Sequence, residues 1–310
     1  MKVFLGIDWG GTYVKAGVVD QEGKILKKLV YESKQLKDKQ AFIKEVEVLV
    51  KELSAFKVQA VGIGAPGIIN LKKGFIYYLP NIDGWCNYPL KDVLEKKLKL
   101  PVFVDNDANV FALAEARCGA AKGKSRAIFL TLGTGLGGAI IFNGEILNAE
   151  TSALELGHVP ISLEKRKCGC GGYGCIETFT GNNYLLKRYN QLKKSGTGAK
   201  EVKDIFDRAL KGEKQALVIW KEFSFALGGF LAGMVNVFNP QVIIFGGGVS
   251  GAFKIFKPLV WEVIKNQAMR PQVRGLKLVR AKLKEAGIVG AALLAKESLN
   301  RYSIHDTRSS

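Results

Sequence analysis

No apolar run in this chain reaches the ~18 residues of a membrane-spanning helix, because Gly, Asn or Pro interrupts each one, so no membrane span is expected. The N-terminus, "MKVFLGIDWGGT", lacks a cleavable apolar segment and runs directly into a strand pattern, which argues against secretion and for the cytoplasm. Low-complexity linkers are missing too, so any hinge must be made of ordinary elements, near 108–116 and 284–290. Histidine is scarce: there are two, and His305 lies in a tail whose last eight or so residues look frayed. Cysteine is scarce and odd in number, at five, and three of the five fall between Cys168 and Cys175. Without an export signal, that clustering favours thiolates on a metal over disulfides. Cys86 and Cys118 have no ligand-like spacing and are read as core or boundary residues.

Acidic residues are also in short supply, 28 against 46 Lys and Arg, for a formal net charge of +18. A nucleic-acid binder would gather that charge into a basic helix or arm. Here Lys alternates with Glu and Asp, as in "KLVYESKQLKDKQAFIKEVEVLVKEL", which reads as a solvated surface that can also steer anionic substrates. Neither a nucleic acid nor a membrane is expected as a partner. The chain is long enough for two domains, and 47% hydrophobic with 24% charged residues describes a globular protein.

What is present is an alternation of strands and helices, the mark of an α/β fold. "VFLGID", "WGGT" and "YVKAGVVD" give strand, glycine turn, strand, and a third strand follows at Ile25 to Tyr31. Residues 38–55 carry Phe42, Val46, Leu49, Val50 and Leu53 on one helical face. "QAVGIGAP" and "PVFVDND" read as strands, 89–98 and "ANVFALAEARCG" as helices. From Ser125 the pattern recurs: "RAIFLTL", "GTGLGG" and "AIIFNGEIL" are again strand, glycine turn, strand. Helical segments occupy about 178 to 236, "PQVIIFGGGVSG" and "KLVRAKL" are strands, and "IVGAALLAKESL" is a closing helix. Two such halves facing each other would make a cleft with a phosphate-binding turn on each wall.

"DWGGT" sets Asp8 before Gly10, Gly11 and Thr12. Glycines let a backbone approach a phosphate, and the acid can hold Mg²⁺, but a plain hairpin uses the same residues. "LGTGLGG" (Leu132 to Gly138) repeats the device with Gly133, Thr134 and Gly135, and "FGGGVSG" adds Gly246, Gly247 and Gly248, suited to a flat nucleotide ring. None is a P-loop, since no Gly-Lys-Ser/Thr follows, and the first returns as a hairpin and not as a Rossmann helix. In "VDNDAN", Asn106 and Asp107 are either a helix cap or, in a phosphoryl-transfer cleft, a candidate base for a substrate hydroxyl. His158, Cys168, Cys170 and Cys175 are four ligands with glycines between the cysteines, the pattern of a closed tetrahedral Zn²⁺ site that leaves no position for water. Glu155 and Glu177 bracket that set and are candidates for polyol hydroxyls.

Taken in order, "DWGGT", "NDAN", "LGTGLGG", "ELGH" and "CGCGGYGCIE" resemble the ROK family of sugar kinases and sugar-responsive repressors, over residues 3–298. The resemblance implies the actin/hexokinase-type ATPase fold, a duplicated RNase H-like α/β architecture of two domains around a cleft. Residues 1–112 plus 287–302 would form the smaller domain, 113–286 the larger one with its zinc loop 158–175, and 303–310 a tail. It implies ATP and Mg²⁺ as cofactors beside structural Zn²⁺, and a homodimer or homotetramer. Asp107 would be the base for the sugar's 6-hydroxyl, and Gly67, Asn81, Asn106, Glu155, His158 and Glu177 would line the hexose. Asp8, Gly10, Gly11, Thr12, Lys15, Gly133, Thr134 and Gly135 would handle phosphates and Mg²⁺, with Gly246 to Gly248 facing the adenosine. Glucose is the first-choice sugar, then N-acetylmannosamine, then fructose or allose. The repressors carry a helix-turn-helix before the first strand, and here that strand starts at once, so the kinase branch is expected. Two positions depart from the family: Leu154 stands where a glycine is usual, and Asn148-Ala149 where a glycine turn is common. Loss of the metal is expected to act on the sugar requirement before it touches ATP binding.

Overall fold

The computed structural model describes residues 1–10, 13–32, 38–80, 82, 84–148, 153–193 and 197–306. The chain divides into two compact units, one of Met1–Gly123, Ile146–Leu154 and Lys282–Ser310, the other of Lys124–Glu145 and Glu155–Ala281.

The first unit opens with β1 (Val3–Trp9), β2 (Tyr13–Asp20) and β3 (Ile25–Glu32), an antiparallel run in which Asp8 stands opposite Lys15. Helix α1 (Lys39–Glu52) follows, capped by the Asp38 carboxylate, which accepts from the N–H groups of Gln40 and Ala41. Strand β4 (Val61–Ala65) leads to a small antiparallel sheet of β5 (Ile68–Asn70), β6 (Phe75–Tyr78) and β7 (Cys86–Tyr88), then α2 (Leu90–Leu98), β8 (Val102–Asn106) and α3 (Asp107–Arg117). The main sheet is ordered β3-β2-β1-β4-β8, with β1, β4 and β8 parallel. Its core holds Trp9 stacked on Phe42 (ring centroids 3.9 Å apart) and edge-on to Trp85 (4.6 Å). Each such aromatic pair adds about 0.5–1.5 kcal/mol beyond burial, and this cluster anchors the residue directly after Asp8.

The second unit repeats the plan. Strands β9 (Ala127–Leu132), β10 (Leu136–Phe142) and β11 (Glu145–Ile146) precede the cysteine loop. Helices α4 (Glu177–Thr180), α5 (Asn182–Leu192), α6 (Val202–Leu210) and α7 (Lys214–Phe238) come next, then β12 (Val242–Gly246), α8 (Phe253–Gln267), α9 (Arg270–Val273) and β13 (Lys277–Arg280). The sheet order β11-β10-β9-β12-β13 matches the first sheet strand for strand, with β9 and β10 antiparallel and β9, β12 and β13 parallel. Helix α10 (Ala286–Asp306) returns to the first unit and lies on β1 and β4. It does so at backbone contact: a Cβ at Gly62 would stand 1.8 Å from the Ala291 carbonyl oxygen, so only glycine fits.

Two expectations are corrected, the end of the closing helix and the burial of Cys86. Helix α3 runs unbroken past 112 and stays with the first unit to Gly123, because its apolar residues are buried on nearly every side. The closing helix continues to Asp306, through four residues expected to be tail. Cys86 is exposed on the small sheet and not in the core, while Cys118 is half-buried, a boundary residue as expected. Helix α7 is long and apolar enough to cross a membrane by length and composition, although 56% of its most apolar window is buried inside the protein.

Candidate active site

In the first unit, Asp8 lies near the carboxyl end of the central strand β1, between buried Ile7 and buried Trp9. Burial raises the Asp8 carboxyl above its ordinary value, Lys15 works against that rise, and Glu285 adds to it. The turn after it is tight, with the Gly10 N–H donating to the Tyr13 carbonyl at 3.0 Å; Gly11 and Thr12 lie outside the described residues. Lys15 does not reach outward alone: its Nζ meets Glu285 Oε2 at 3.4 Å, and Lys28 meets the other oxygen.

The strand-to-helix junction of β8 and α3 gathers three of the expected sugar residues. Asn106 is the N-cap of α3; its Oδ1 accepts from the Ala108 N–H at 2.9 Å, and its Nδ2 donates to the Gly67 carbonyl at 3.2 Å. Asp107 follows as the first helical residue, partly exposed, with Oδ1 accepting from the same N–H at 2.8 Å. A carboxylate in the first turn of a helix is favoured by the helix dipole. Asn81 lies outside the described residues.

Sequence reasoning missed what lies beneath this junction. Asp105 is buried, and its Oδ1 accepts from the Asn106 N–H at 2.6 Å and from Asn109 Nδ2 at 2.8 Å. The second Nδ2 hydrogen of Asn109 reaches Asn148 Oδ1 at 2.7 Å, so a departure from the family pattern is bonded to the same helix. Burial pushes the Asp105 carboxyl up to about 6 against the pull of those two bonds.

In the second unit, Gly133, Thr134 and Gly135 form the β9–β10 turn, closed by the Gly133 N–H donating to the Gly135 carbonyl at 3.0 Å. The third glycine turn sits beside it. Gly247 takes a φ of 77°, and a Cβ there would lie 2.3 Å from the Leu132 carbonyl oxygen, at the end of β9. Ser250 Oγ fastens that turn by donating to the Gly247 carbonyl at 2.7 Å. Gly246, Gly247 and Gly248 thus adjoin Gly133 to Gly135 on one edge of the sheet.

The segment from Glu155 forms a single 3₁₀ turn, Leu156–His158, pressed onto β10 at Gly157. Crowding around the Glu155 carboxyl raises it, His158 nearby opposes the rise and Glu177 adds to it, so the three side chains are electrostatic neighbours. His158, Cys168, Cys170 and Cys175 present ligand atoms all within 4.8 Å of one another. His158 Nδ1 is 3.6 Å from Cys168 Sγ, and Cys170 Sγ is 3.8 Å from Cys175 Sγ. Four donors at ~2.0–2.3 Å from a tetrahedral Zn²⁺ would be spaced by about that much, so the set fits the ion. Burial also pushes the Cys168 thiol up to about 12, and a cation is what would let these sulfurs become thiolates together.

These features can be set beside known proteins. The ROK family profile matches residues 4–298. The chain is 35% identical over 309 residues to a glucokinase of Thermotoga maritima, covering 95% of this chain and 98% of that one. It is 30% identical over 303 residues to a xylose repressor of Caldicellulosiruptor bescii, covering 92% and 75%. Among solved structures, a ROK glucokinase of Streptomyces griseus in complex with glucose and AMPPNP superposes with a TM-score of 0.80 at 33% identity, covering 95% of this chain and 99% of that one. The chain belongs to the ROK family and has its hexokinase-like, actin-type ATPase fold.

Proposed function

We propose that this chain is an ATP-dependent hexose kinase whose substrate is glucose, with N-acetylmannosamine, then fructose or allose, as the next sugars to try. The observation that carries the reading is the junction at α3, where Asn106 is fixed by Gly67 and by the helix end while Asp107 stands partly exposed beside it. Asp107 takes the proton from the sugar's 6-hydroxyl as that oxygen bonds to the γ-phosphorus and the bond from phosphorus to the ADP oxygen breaks. Most of the rate comes from holding the hydroxyl in line and neutralising charge, which is the work of Asn106, Glu155, His158 and Glu177 on the sugar. Asp8 and the glycine turns at Gly10, Gly133–Gly135 and Gly246–Gly248 take the phosphates and the nucleoside. Mg²⁺, when bound beside Asp8, supplies charge neutralisation at the phosphates. Zn²⁺ belongs to His158, Cys168, Cys170 and Cys175 and has a structural role, since four protein donors complete its shell. A reduced, cytoplasmic setting suits thiolate ligands.

The 35% identity to a glucokinase and the likeness to the Streptomyces glucokinase complex support this reading over a sugar-sensing regulator, although a xylose repressor is 30% identical. Asp107→Asn tests it: sugar-dependent ADP release should fall at least ~100-fold, while AMPPNP binding and zinc content stay at wild-type levels. Turnover within a few-fold of wild type would remove Asp107 from the base's role.

A further inference from the structure

The cysteine loop ends at Cys175, and two residues later the chain enters α4 at Glu177. The Glu177 carboxylate spans two places in the second unit. Its Oε1 faces Cys168 Sγ at 3.8 Å, within the metal-ligand cluster. Its Oε2 accepts from the backbone N–H of Leu136 at 3.1 Å, the first residue of β10 after the glycine turn. The fit is close: a Cβ added at Gly135 would stand 2.1 Å from that oxygen. Two backbone contacts accompany it. The Asn182 N–H donates to the Gly133 carbonyl at 2.9 Å, and a Cβ at Gly181 would lie 2.8 Å from the Thr134 carbonyl oxygen. The turn itself is a short surface feature, with Thr134 exposed, so its shape is set from the α4–α5 junction.

We infer that Glu177 is a positioning residue for the phosphate turn Gly133–Gly135, so that the metal loop holds the nucleotide side of the site as well as the sugar side. This rests on the reading of that turn as a phosphate binder. A charged acceptor on the Leu136 N–H fixes where β10 begins, and the missing side chain at Gly135 is what admits it. The sugar-contact role alone would leave ATP affinity independent of Glu177; the geometry ties the two together.

The test uses the zinc-loaded protein and titrates Mg²⁺-AMPPNP without sugar, then glucose without nucleotide, by calorimetry. Glu177→Ala should weaken AMPPNP about tenfold, the scale of losing one charge-assisted hydrogen bond. Glu177→Gln, whose amide oxygen can still accept from Leu136, should stay within about threefold of wild type for AMPPNP. Gly135→Ala should displace the carboxylate and reproduce the Glu177→Ala loss, and the double variant should be no worse than either single one. Zinc content and melting temperature report whether each variant is folded; if Glu177→Ala loses its metal, Glu177→Asp, whose shorter arm falls short of the Leu136 N–H, takes its place. Unchanged AMPPNP affinity in folded Glu177→Ala, or additive losses in the double variant, would overturn the inference. So would a wild-type protein that binds no AMPPNP. A wild type that binds AMPPNP yet phosphorylates no hexose would sink the kinase reading alone, and the nucleotide titrations would still decide the role of Glu177.

Discussion

Asp105 shows how much one side chain can hold at the centre of this protein. It is buried beneath the Asn106–Asp107 pair, with its carboxyl up at about 6 instead of the ordinary 3.8, and burial is the cause. Below about pH 4 the carboxyl is protonated in both folded and unfolded chains, and its contribution to stability is fully present. Between about pH 4 and 6 the unfolded chain releases its proton first, so stability falls as pH rises, by a total on the order of 3 kcal/mol. Above pH 6 the loss is complete and the dependence flattens. Asp105→Asn keeps an oxygen for the Asn106 and Asn109 donors and removes the titration, so its urea unfolding free energy should change less between pH 4.5 and 7 than that of wild type. An equal slope in the two proteins would mean that Asp105 is ionised throughout.

At the scale of elements, α3 is held by a second buried carboxylate. Glu115 accepts at Oε1 from the N–H groups of Lys282 and Leu283, at 2.8 and 2.7 Å, and at Oε2 from that of Ala120 at 2.6 Å. Three backbone donors thus satisfy the oxygens of a fully buried side chain just where the chain returns toward α10. Glu115→Ala would leave them unpaired and should cost about 3 kcal/mol or more in chemical denaturation, with Glu115→Gln intermediate; a loss under ~1 kcal/mol would contradict this account. Nothing in the sequence marked Glu115 or Asp105, since acids read as surface residues until a fold supplies donors. The strand–turn–strand openings were legible because apolar runs end on glycines in both halves. Helix α8 was not, although Phe256, Val260, Val263 and Ile264 keep helical spacing, because Pro258 stands inside it and reads as a breaker. The small sheet of β5 to β7 was hidden by strands of three or four residues, too short to show a period. Of the candidate site, the glycine turns, the Asn106–Asp107 junction and the His–Cys set were readable as residue types at fixed spacing. The Glu177 contact with Leu136 joins residues 41 positions apart and needed the fold.

Over the whole molecule, the two five-stranded sheets share one strand order, and in each a glycine-containing turn follows the first strand of the unit. In the second unit, a metal on His158, Cys168, Cys170 and Cys175 would brace the cysteine loop: removing Zn²⁺ with a chelator should lower the melting temperature by several degrees, on the order of a few kcal/mol. It should also make Cys168 and Cys175 reactive toward thiol reagents, beyond the accessible Cys86. A chelated protein with unchanged melting and thiol titration would mean the set holds no metal. Coupled ADP release over a panel of hexoses and their N-acetylamino forms decides whether this ROK protein phosphorylates a hexose, and which one. Glucose-dependent ADP release, with the product phosphorylated at the 6-position and no turnover in Asp107→Asn, is the predicted result. ATP hydrolysis at one rate whether or not any sugar is present, or no turnover with any of them, would contradict it.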